Sequence, residues 1–218
     1  MIKVTSLTTA YMRSQMYVVS EDGHAVVIDM GDADLIIDFL HTEGLVLDFG
    51  ILTHEHCDHS LGCSKLREGL GCEILASEKC NMNLQDSKKN ASRYYNAFID
   101  LQGKLPVQGQ KLIAPFSTHA DVTFEKDKTL EWMGHTLWMH ETPGHSQGSV
   151  CILLDNTILF SGDTLFRDEF TGTGFPGGNK IDYKKKTMPW LRQLSSEVAV
   201  YPGHGERFIL RDRLVSLI

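Results

Sequence analysis

Short apolar runs, bounded by glycine or by polar turn residues, recur along the chain and predict buried strands. They fall at residues 17–19, 25–29, 49–53, 72–76, 150–154, 157–160 and 198–201. Residues 32–41 show helical periodicity instead, with aspartates at the start and Gly44 just past the end, as expected of helix termini. Strands that alternate with helices in this way predict an α/β layered domain.

Further elements follow from local signals. We expect a helix over residues 60–69, with Leu61 and Leu66 turned inward, and a helix through Leu84 that Ser77 caps. The pair Asp155-Asn156 between two apolar runs predicts a two-residue hairpin. Residues 182–195 predict a helix that is interrupted at Pro189.

Residues 80–118 are less regular and predict a helical insertion or lid between two halves of the chain. They include a polar run at 86–90 and an aromatic group that begins at Tyr94. Connections this long are often functional, so Arg93, Tyr94 or Tyr95 could contact a substrate. Alternatively, the aromatic residues pack the insertion onto the body, which is the interpretation we prefer.

Composition describes an ordinary globular chain. The 218 residues, 42% hydrophobic and 22% charged, suffice for one domain with its own core, and we expect residues 1–218 to form it. A net charge of −7 argues against a nucleic-acid partner, which would require a basic face. The run of three lysines at 184–186 is interpreted as the solvated face of a helix.

The sequence favours a cytoplasmic protein. Strand-like residues start directly at Ile2 without a leader pattern, and no apolar run approaches membrane-spanning length, so no membrane association is expected. The five cysteines form an odd number without close pairing, as in a reducing compartment. Cys57 is interpreted as a small filler residue. Oligomeric state is left open.

The densest chemistry lies at residues 53–59, Thr-His-Glu-His-Cys-Asp-His, after the apolar run at 49–53. Imidazole and carboxylate are common metal ligands. His54 and His56 are two residues apart and can point the same way at a strand end, whereas Asp58 and His59 turn elsewhere. This arrangement favours two neighbouring ions. The remaining histidines, including His135 and His140, have no other donors nearby in the sequence and are not expected to be ligands.

The pattern His-x-His-x-Asp-His on a loop after a buried strand resembles the metallo-β-lactamase fold superfamily. Three further motifs of that family follow in its order: Thr-Pro-Gly-His at 142–145, Ser-Gly-Asp-Thr at 161–164 and Tyr-Pro-Gly-His at 201–204. The resemblance implies a four-layer αβ/βα sandwich, in which two mixed β-sheets face each other with helices outside.

The resemblance also implies a ligand set and a mechanism. His54, His56 and His145 would hold one ion, and Asp58, His59 and His204 a second, with Asp163 bridging them. The ions would be two divalent metals, zinc in the first place, with iron or manganese as alternatives. A hydroxide between them would be the nucleophile, and Asp58 would be catalytic by orienting it and moving its proton.

Within the superfamily, the chain is most similar to the glyoxalase II-like hydrolases. Gly-Asp-Thr-Leu-Phe at 162–166 and Pro-Gly-Gly at 176–178 match them, but Thr-Gly-Thr-Gly at 171–174 replaces their Gly-Arg-Thr-Asp. Their glutathione-binding helical domain has no counterpart here. His56 disfavours the diiron flavoproteins and Asp163 disfavours the zinc β-lactamases, which carry a carboxylate and a cysteine there.

The expected function is therefore hydrolysis of a small-molecule ester, thioester or lactone. A mononuclear iron dioxygenase acting on a persulfide is the alternative, with His54, His145 and Asp163 as its iron ligands. A non-catalytic metal-binding regulatory protein ranks below both, because none of the seven ligand positions has been lost.

Overall fold

Two six-stranded sheets lie face to face in the computed structural model, which describes residues 1–101 and 112–214. The first sheet contains, in spatial order, β1 (Lys3–Thr8), β2 (Gln15–Glu21), β3 (His24–Ile28), β4 (Val46–Ile51), β5 (Glu73–Ser77) and β6 (Val122–Phe124). Its first three strands pair antiparallel and the others pair parallel, so the sheet is mixed.

The second sheet contains β7 (Lys128–Trp132), β8 (His135–Glu141), β9 (Val150–Leu154), β10 (Ile158–Gly162), β11 (Ala199–Pro202) and β12 (Phe208–Ile209) in consecutive order. Here β10 and β11 pair parallel and the other neighbours pair antiparallel. Asp155 and Asn156, in the turn between β9 and β10, have φ angles of 49° and 55°, which is the left-handed pair that a type I′ hairpin requires.

Helices accompany both sheets. They are α1 (Ala33–Glu43), α2 (Cys57–Ser60), α3 (Cys63–Leu70), α4 (Glu78–Leu84), α5 (Tyr95–Leu101), α6 (Lys180–Asp182), α7 (Met188–Leu191) and α8 (Arg211–Leu214), with a π-helical turn (Tyr183–Thr187) between α6 and α7.

Three apolar layers separate these elements. On β2, Val18 packs toward the helices with Ile36 of α1, whereas Val19 packs between the sheets with Ile152 of β9. This alternation follows from the two-residue repeat of a strand. A third cluster joins the outer face of the second sheet to Trp190 of α7. The predicted four-layer sandwich is therefore confirmed.

Local signals set the ends of α1. The Asp32 side chain accepts a hydrogen bond from the Leu35 backbone N–H at 3.4 Å. Gly44 has a φ of 65° and donates its N–H to the last carbonyls of the helix, a conformation that glycine adopts without strain. Both predicted helix ends are confirmed. The Ser77 cap is confirmed as well, because its side chain accepts from Cys80 N–H at the start of α4.

Two predicted helices differ from the structure. The helix expected over residues 60–69 is divided into α2 and α3 at Gly62, which lies so close to Met30 that a Cβ there would be 2.7 Å from the Met30 carbonyl oxygen. The helix expected over 182–195 starts at Lys180 and ends at Leu191, and Pro189 does not break it. The wider π-helical turn just before Pro189 accommodates the proline ring, which would clash with the preceding turn of a regular α-helix.

The predicted insertion at 80–118 contains most of α4 and all of α5. Tyr95 and Ile99 of α5 pack with Ile113 and with Cys57 of the histidine loop. Asn96 donates to the Ile113 carbonyl and accepts from its N–H, which ties both sides of the insertion together. Residues 102–111 of this prediction lie outside the described residues, and the single-domain organisation stays a prediction.

Within the described part of the chain, the helices are all too short or too polar to cross a membrane.

Candidate metal centre

Seven side chains converge where the two sheets meet at one edge. His54, His56, Asp58 and His59 follow β4 of the first sheet, and His145, Asp163 and His204 follow β8, β10 and β11 of the second. The structure therefore brings together all seven residues that the sequence predicts as ligands. Each sheet contributes part of the cluster, so its geometry depends on how the sheets pack.

The first group consists of His54, His56 and His145, all buried. Their ring centroids lie 4.6 to 4.9 Å apart, and Nδ1 of His56 is 2.9 Å from Nε2 of His145. One nitrogen of each ring lies within 4.8 Å of one nitrogen of each other ring. Three imidazoles at this separation can share one cation.

The second group consists of Asp58, His59 and His204. Nε2 of His204 is 3.3 Å from an Asp58 carboxylate oxygen and 3.4 Å from Nε2 of His59. The Nε2 of His59 is 3.6 Å from the same oxygen. A second cation could be held here by two nitrogens and one oxygen.

Asp163 lies between the two groups and faces both. Its Oδ2 is 3.4 Å from Nε2 of His145 and 3.6 Å from Nε2 of His204, while its Oδ1 is 3.4 Å from Nε2 of His59. A carboxylate with its oxygens in these positions can interact with ions in both groups.

Asp29 is a functional residue that the sequence reasoning missed. Its buried carboxylate accepts from the Thr53 backbone N–H at 2.7 Å and from the Thr53 hydroxyl at 2.8 Å, and it lies 2.9 Å from Nδ1 of His59. Carboxylates in this position fix the orientation and tautomer of a histidine ligand. The only sequence signal was a lone aspartate at the end of an apolar strand.

Two other imidazoles are oriented by the groups beside them. Nδ1 of His54 is 3.0 Å from the Thr53 hydroxyl, and Nδ1 of His145 donates to the Gly172 carbonyl at 2.8 Å. Gly172 belongs to the segment that replaces the Gly-Arg-Thr-Asp motif of glyoxalase II-like hydrolases. The backbone of this segment therefore orients His145 without either of the missing charged side chains.

The electrostatics differ between the two groups: the pKa values of the three imidazoles in the first group are lowered, whereas Asp58 and Asp163 raise those of His59 and His204 against the opposing effect of burial. Burial lowers the pKa of His54 well below its ordinary value and that of His56 to about 3. Burial also acts to raise the pKa of Asp163, but His204, His59 and His145 outweigh it and hold that pKa well below its usual range. Neutral imidazole and ionised carboxylate are the forms that bind cations.

The donor set fits metal ions. Nε2 of His54, Nε2 of His56 and Oδ1 of Asp163 are buried and have no hydrogen-bond partner among the residues that the structure describes, although buried polar atoms nearly always have one. Gly203 also lies against the cluster, because a Cβ there would be 2.2 Å from Oδ1 of Asp163. Nitrogen and carboxylate donors together suit zinc, iron and manganese.

Glu55 lies in the same loop but faces away from the cluster. It is fully buried and accepts from Nδ2 of Asn83 at 2.8 Å and from Oγ of Ser146 at 2.9 Å. Burial raises the pKa of Glu55 to about 7, against the opposing effect of these two hydrogen bonds. Because Ser146 follows His145, Glu55 links the two loops that carry the histidines of the first group.

A cavity of about 120 Å³ opens directly onto the cluster. Tyr94 and Tyr95, two of the predicted substrate contacts, line this cavity, whereas Arg93 is exposed and lies outside its lining. The Tyr95 hydroxyl is buried without a hydrogen-bond partner. Burial raises its pKa, and the nearby Asp58 carboxylate adds to this effect, so the hydroxyl stays protonated. Direct substrate contact by these residues stays a prediction.

The histidines that were not expected to be ligands lie elsewhere, and several have carboxylate neighbours. His135 pairs with Glu21 at 2.7 Å, and His140 lies 2.8 Å from Asp127. His24 lies 2.9 Å from Asp48. None of these three belongs to a cluster of possible metal ligands among the described residues.

Two facing mixed sheets with a histidine and aspartate cluster at their shared edge define a class of metal-binding proteins. The sequence pattern of the Metallo-beta-lactamase superfamily matches residues 11–204. The chain belongs to this superfamily, whose members are mostly metal-dependent hydrolases.

Relatives by sequence extend over most of the chain. The protein ML0493 of Mycobacterium leprae is 26% identical over 211 residues, which cover 93% of this chain and 91% of the relative. A hydroxyacylglutathione hydrolase of Methylobacillus flagellatus is 26% identical over 195 residues, which cover 89% of this chain but 63% of that enzyme. The chain therefore spans less than two thirds of the length of the second relative.

Solved structures share the fold along nearly the full length. A crystal structure of BLEG-1 B3 metallo-beta-lactamase has a TM-score of 0.78 and 26% identity, covering 98% of this chain and 97% of that one. A di-iron-bound form of TTHA1623 has a TM-score of 0.75 and 23% identity, covering 96% of each chain. At that identity, the second structure supports the fold alone.

Proposed function

We propose that the protein is a dinuclear metal-dependent hydrolase that cleaves an ester, thioester or lactone of a small molecule. The observation that carries this proposal is the position of Asp163, whose oxygens face His145 of the first group and both His59 and His204 of the second. A site for one structural ion is usually closed by four ligands, whereas this cluster contains seven donor residues, Asp163 and six others.

Two divalent ions held by these residues would lower the pKa of a shared water to about 7 and polarise the scissile carbonyl. The residues of the protein position the attacking water and exchange protons with it. Asp58 faces both the cavity and His204, so its carboxylate can orient the attacking water and accept its proton. Asp29 orients His59, the Thr53 hydroxyl orients His54, and the Gly172 carbonyl orients His145. The loops around these residues keep the donors fixed during turnover.

The relatives support hydrolysis at the level of bond type. The name of the Methylobacillus flagellatus relative describes cleavage of an acylated glutathione, which is a thioester. This chain spans 63% of that enzyme. We therefore propose the same reaction type for this chain, but not the glutathione substrate. A cytoplasmic location agrees with five cysteines that are all free and buried.

The first experiment is elemental analysis of the purified protein, with the metals counted per chain. We expect about two ions, zinc before iron or manganese, and hydrolysis of esters, thioesters or lactones that chelation abolishes and metal addition restores. A single iron per chain, together with oxygen consumption on a persulfide, would replace this proposal by the iron dioxygenase. Two ions without hydrolysis of any such substrate would also contradict it.

Hydrolysis of a β-lactam, a cyclic amide, is the second candidate. It is supported by the 26% identity to the structure named BLEG-1 B3 metallo-beta-lactamase over nearly the full chain. A chromogenic cephalosporin in the same substrate panel tests it. A kcat/KM for the cephalosporin above those of the esters and thioesters would favour the β-lactam.

A further inference from the structure

The cavity above the cluster has walls of two chemical kinds. Its floor is formed by five members of the cluster: His56, Asp58, His145, Asp163 and His204. Its sides are apolar or aromatic, formed by Met12, Ala91, Tyr94, Tyr95, Phe98, Phe175 and Pro176. A substrate that reaches the floor with its reacting bond must therefore place the rest of its body against apolar groups.

Two phenylalanines from distant parts of the chain build one side of the cavity. The ring centroids of Phe98, on α5, and Phe175 are 5.9 Å apart in an edge-to-face arrangement. The Phe175 ring also lies 5.9 Å from His56 and 5.6 Å from His145. The aromatic surface thus begins at the rings of the first histidine group and continues outward along the insertion.

Part of this apolar surface is open to solvent. Phe175 is 40% exposed and Tyr94 is 46% exposed, and both border the cavity. Exposed aromatic surface in a concave site is stabilised when a ligand covers it, because apolar area is removed from water. A ligand with an apolar body would provide that cover.

Cationic groups are missing from the cavity wall in the ranges 1–101 and 112–214, where no lysine or arginine lines it. A substrate with carboxylates or phosphates away from the reacting bond would find no partner among these residues. The net charge of −7 also repels anionic molecules at longer range. Both features favour a substrate that is uncharged outside its reacting bond.

We propose that the substrate is an ester, thioester or lactone with an uncharged, apolar body, an acyl chain or an aromatic ring, which lies against Phe98 and Phe175. This inference rests on the proposed hydrolase function and narrows it to a substrate class. Glutathione conjugates and other polyanionic thioesters fall outside that class.

The first test measures kcat/KM of the metal-loaded protein for nitrophenyl esters of increasing acyl length. We expect a rise of about fourfold per methylene, which corresponds to about 0.8 kcal/mol, until the cavity is filled. For each length, an ester whose acyl chain ends in a carboxylate should react at least about tenfold more slowly than its uncharged counterpart. Equal or faster hydrolysis of the carboxylate esters would overturn the inference.

Matched variants test whether Phe98 is responsible for the dependence of kcat/KM on acyl length and charge. Phe98→Ala should flatten the dependence on chain length, and Phe98→Lys should shift the ratio of carboxylate to uncharged ester by about fivefold toward the carboxylate, as one partly exposed ion pair can. Phe170→Lys adds the same charge at an 85% exposed phenylalanine outside the cavity lining and should change neither. A chain-length dependence that Phe98→Ala leaves intact would contradict the assigned location.

A binding measurement separates this inference from the proposed function. Calorimetry of the metal-free protein with a neutral long-chain alkyl amide, and with its carboxylate-ended analogue, should show binding of the neutral amide alone, weakened by Phe98→Ala. Selective amide binding without hydrolysis of any ester would refute the hydrolase and support the apolar site. Hydrolysis that is indifferent to acyl length, without amide binding, would support the hydrolase and refute the apolar site.

Discussion

The Asp29 carboxylate lies 2.9 Å from Nδ1 of His59, and both side chains are buried. The opposite nitrogen of the same ring faces Asp58 and Asp163. His59 is therefore held from behind by one carboxylate while it presents its other side to the cluster. Asp29 also accepts two hydrogen bonds from Thr53, next to His54, so one carboxylate steadies both groups of the site.

Replacing Asp29 by Asn is expected to lower metal affinity about 10- to 100-fold, the usual effect of losing such a partner. The amide would direct its NH₂ group at donors that now point to a carboxylate oxygen. Metal titration with a competing chelator measures the change. Asp48→Asn is the control, since Asp48 lies equally close to His24 but away from the cluster. Equal affinities in the two variants would show that Asp29 has no part in binding.

Asp163→Ala is expected to reduce bound metal from about two ions per chain to one or fewer and to lower kcat/KM by more than about 100-fold. The reason is that Asp163 is the carboxylate that faces both groups. Asp168→Ala removes an exposed carboxylate five positions along and should leave both quantities unchanged. Full turnover in the Asp163→Ala protein would exclude a mechanism that uses two ions.

Glu55→Ala is expected to lower the free energy of unfolding by about 1–3 kcal/mol, because Asn83 and Ser146 lose their buried acceptor. Glu55→Gln retains an acceptor for Asn83 and gains a donor toward Ser146, and should restore most of the loss. Urea unfolding of the metal-free proteins measures this. An alanine variant as stable as the wild type would show that this buried link contributes nothing to the loop.

Tyr95→Phe is expected to reduce kcat/KM about tenfold, the effect of one lost hydrogen bond, without lowering the stability of the fold. Its hydroxyl is buried beside the cluster and has no hydrogen-bond partner in the described part of the chain, so a substrate oxygen could accept a hydrogen bond from it. Steady-state kinetics and thermal unfolding test the two parts. Tyr94→Phe, at a half-exposed position of the same cavity, is the control. Unchanged kinetics in Tyr95→Phe would leave the residue a packing role.

A pH-dependent contribution to stability is expected at His135, far from the metal centre. Asp155 and Glu21 raise the pKa of His135, outweighing its partial burial, and the amino group of Met1 shares Glu21. A raised pKa means that the stabilisation is complete below about pH 6.5, the unfolded-state value, and is lost as the pH rises through the folded-state value. Within this range the carboxylates stay ionised, since their own pKa values are lowered.

Thermal unfolding of metal-free His135→Gln should therefore show a larger loss of stability at about pH 6 than at about pH 9. His119→Gln, at a histidine whose side chain is 58% exposed, provides the comparison. Equal losses for His135→Gln at both pH values would show that the ion pairs of His135 do not contribute.

The loop at residues 53–59 was identified from its density of histidine and aspartate, and the resemblance to the metallo-β-lactamase superfamily implied His145, Asp163 and His204, each of which follows an apolar strand. Neighbouring strand ends meet at one edge of a sheet, so Asp163 and His204, which follow the paired strands β10 and β11, had to lie close together. The ends of α1 were equally predictable, since Asp32 and Gly44 act within a turn of the helix that they terminate.

What the sequence did not reveal depends on contacts between distant segments. Asp29 is one aspartate after one strand, and its role appears only when β3 and β4 are adjacent. The contact between Phe98 and Phe175 joins two irregular segments from different halves of the chain. The division of the helix after residue 60 arises because Gly62 meets Met30, a constraint that no local pattern contains.

The division of the cluster between the two sheets has a consequence for the order of events during synthesis. His54 to His59 leave the ribosome early, whereas His204 is made only after nearly the whole second sheet. A nascent chain can therefore offer a cation a four-residue fragment of the site long before the complete set exists. Correct loading then requires either that metal binds after the chain is released or that early-bound ions exchange freely until β11 pairs with β10.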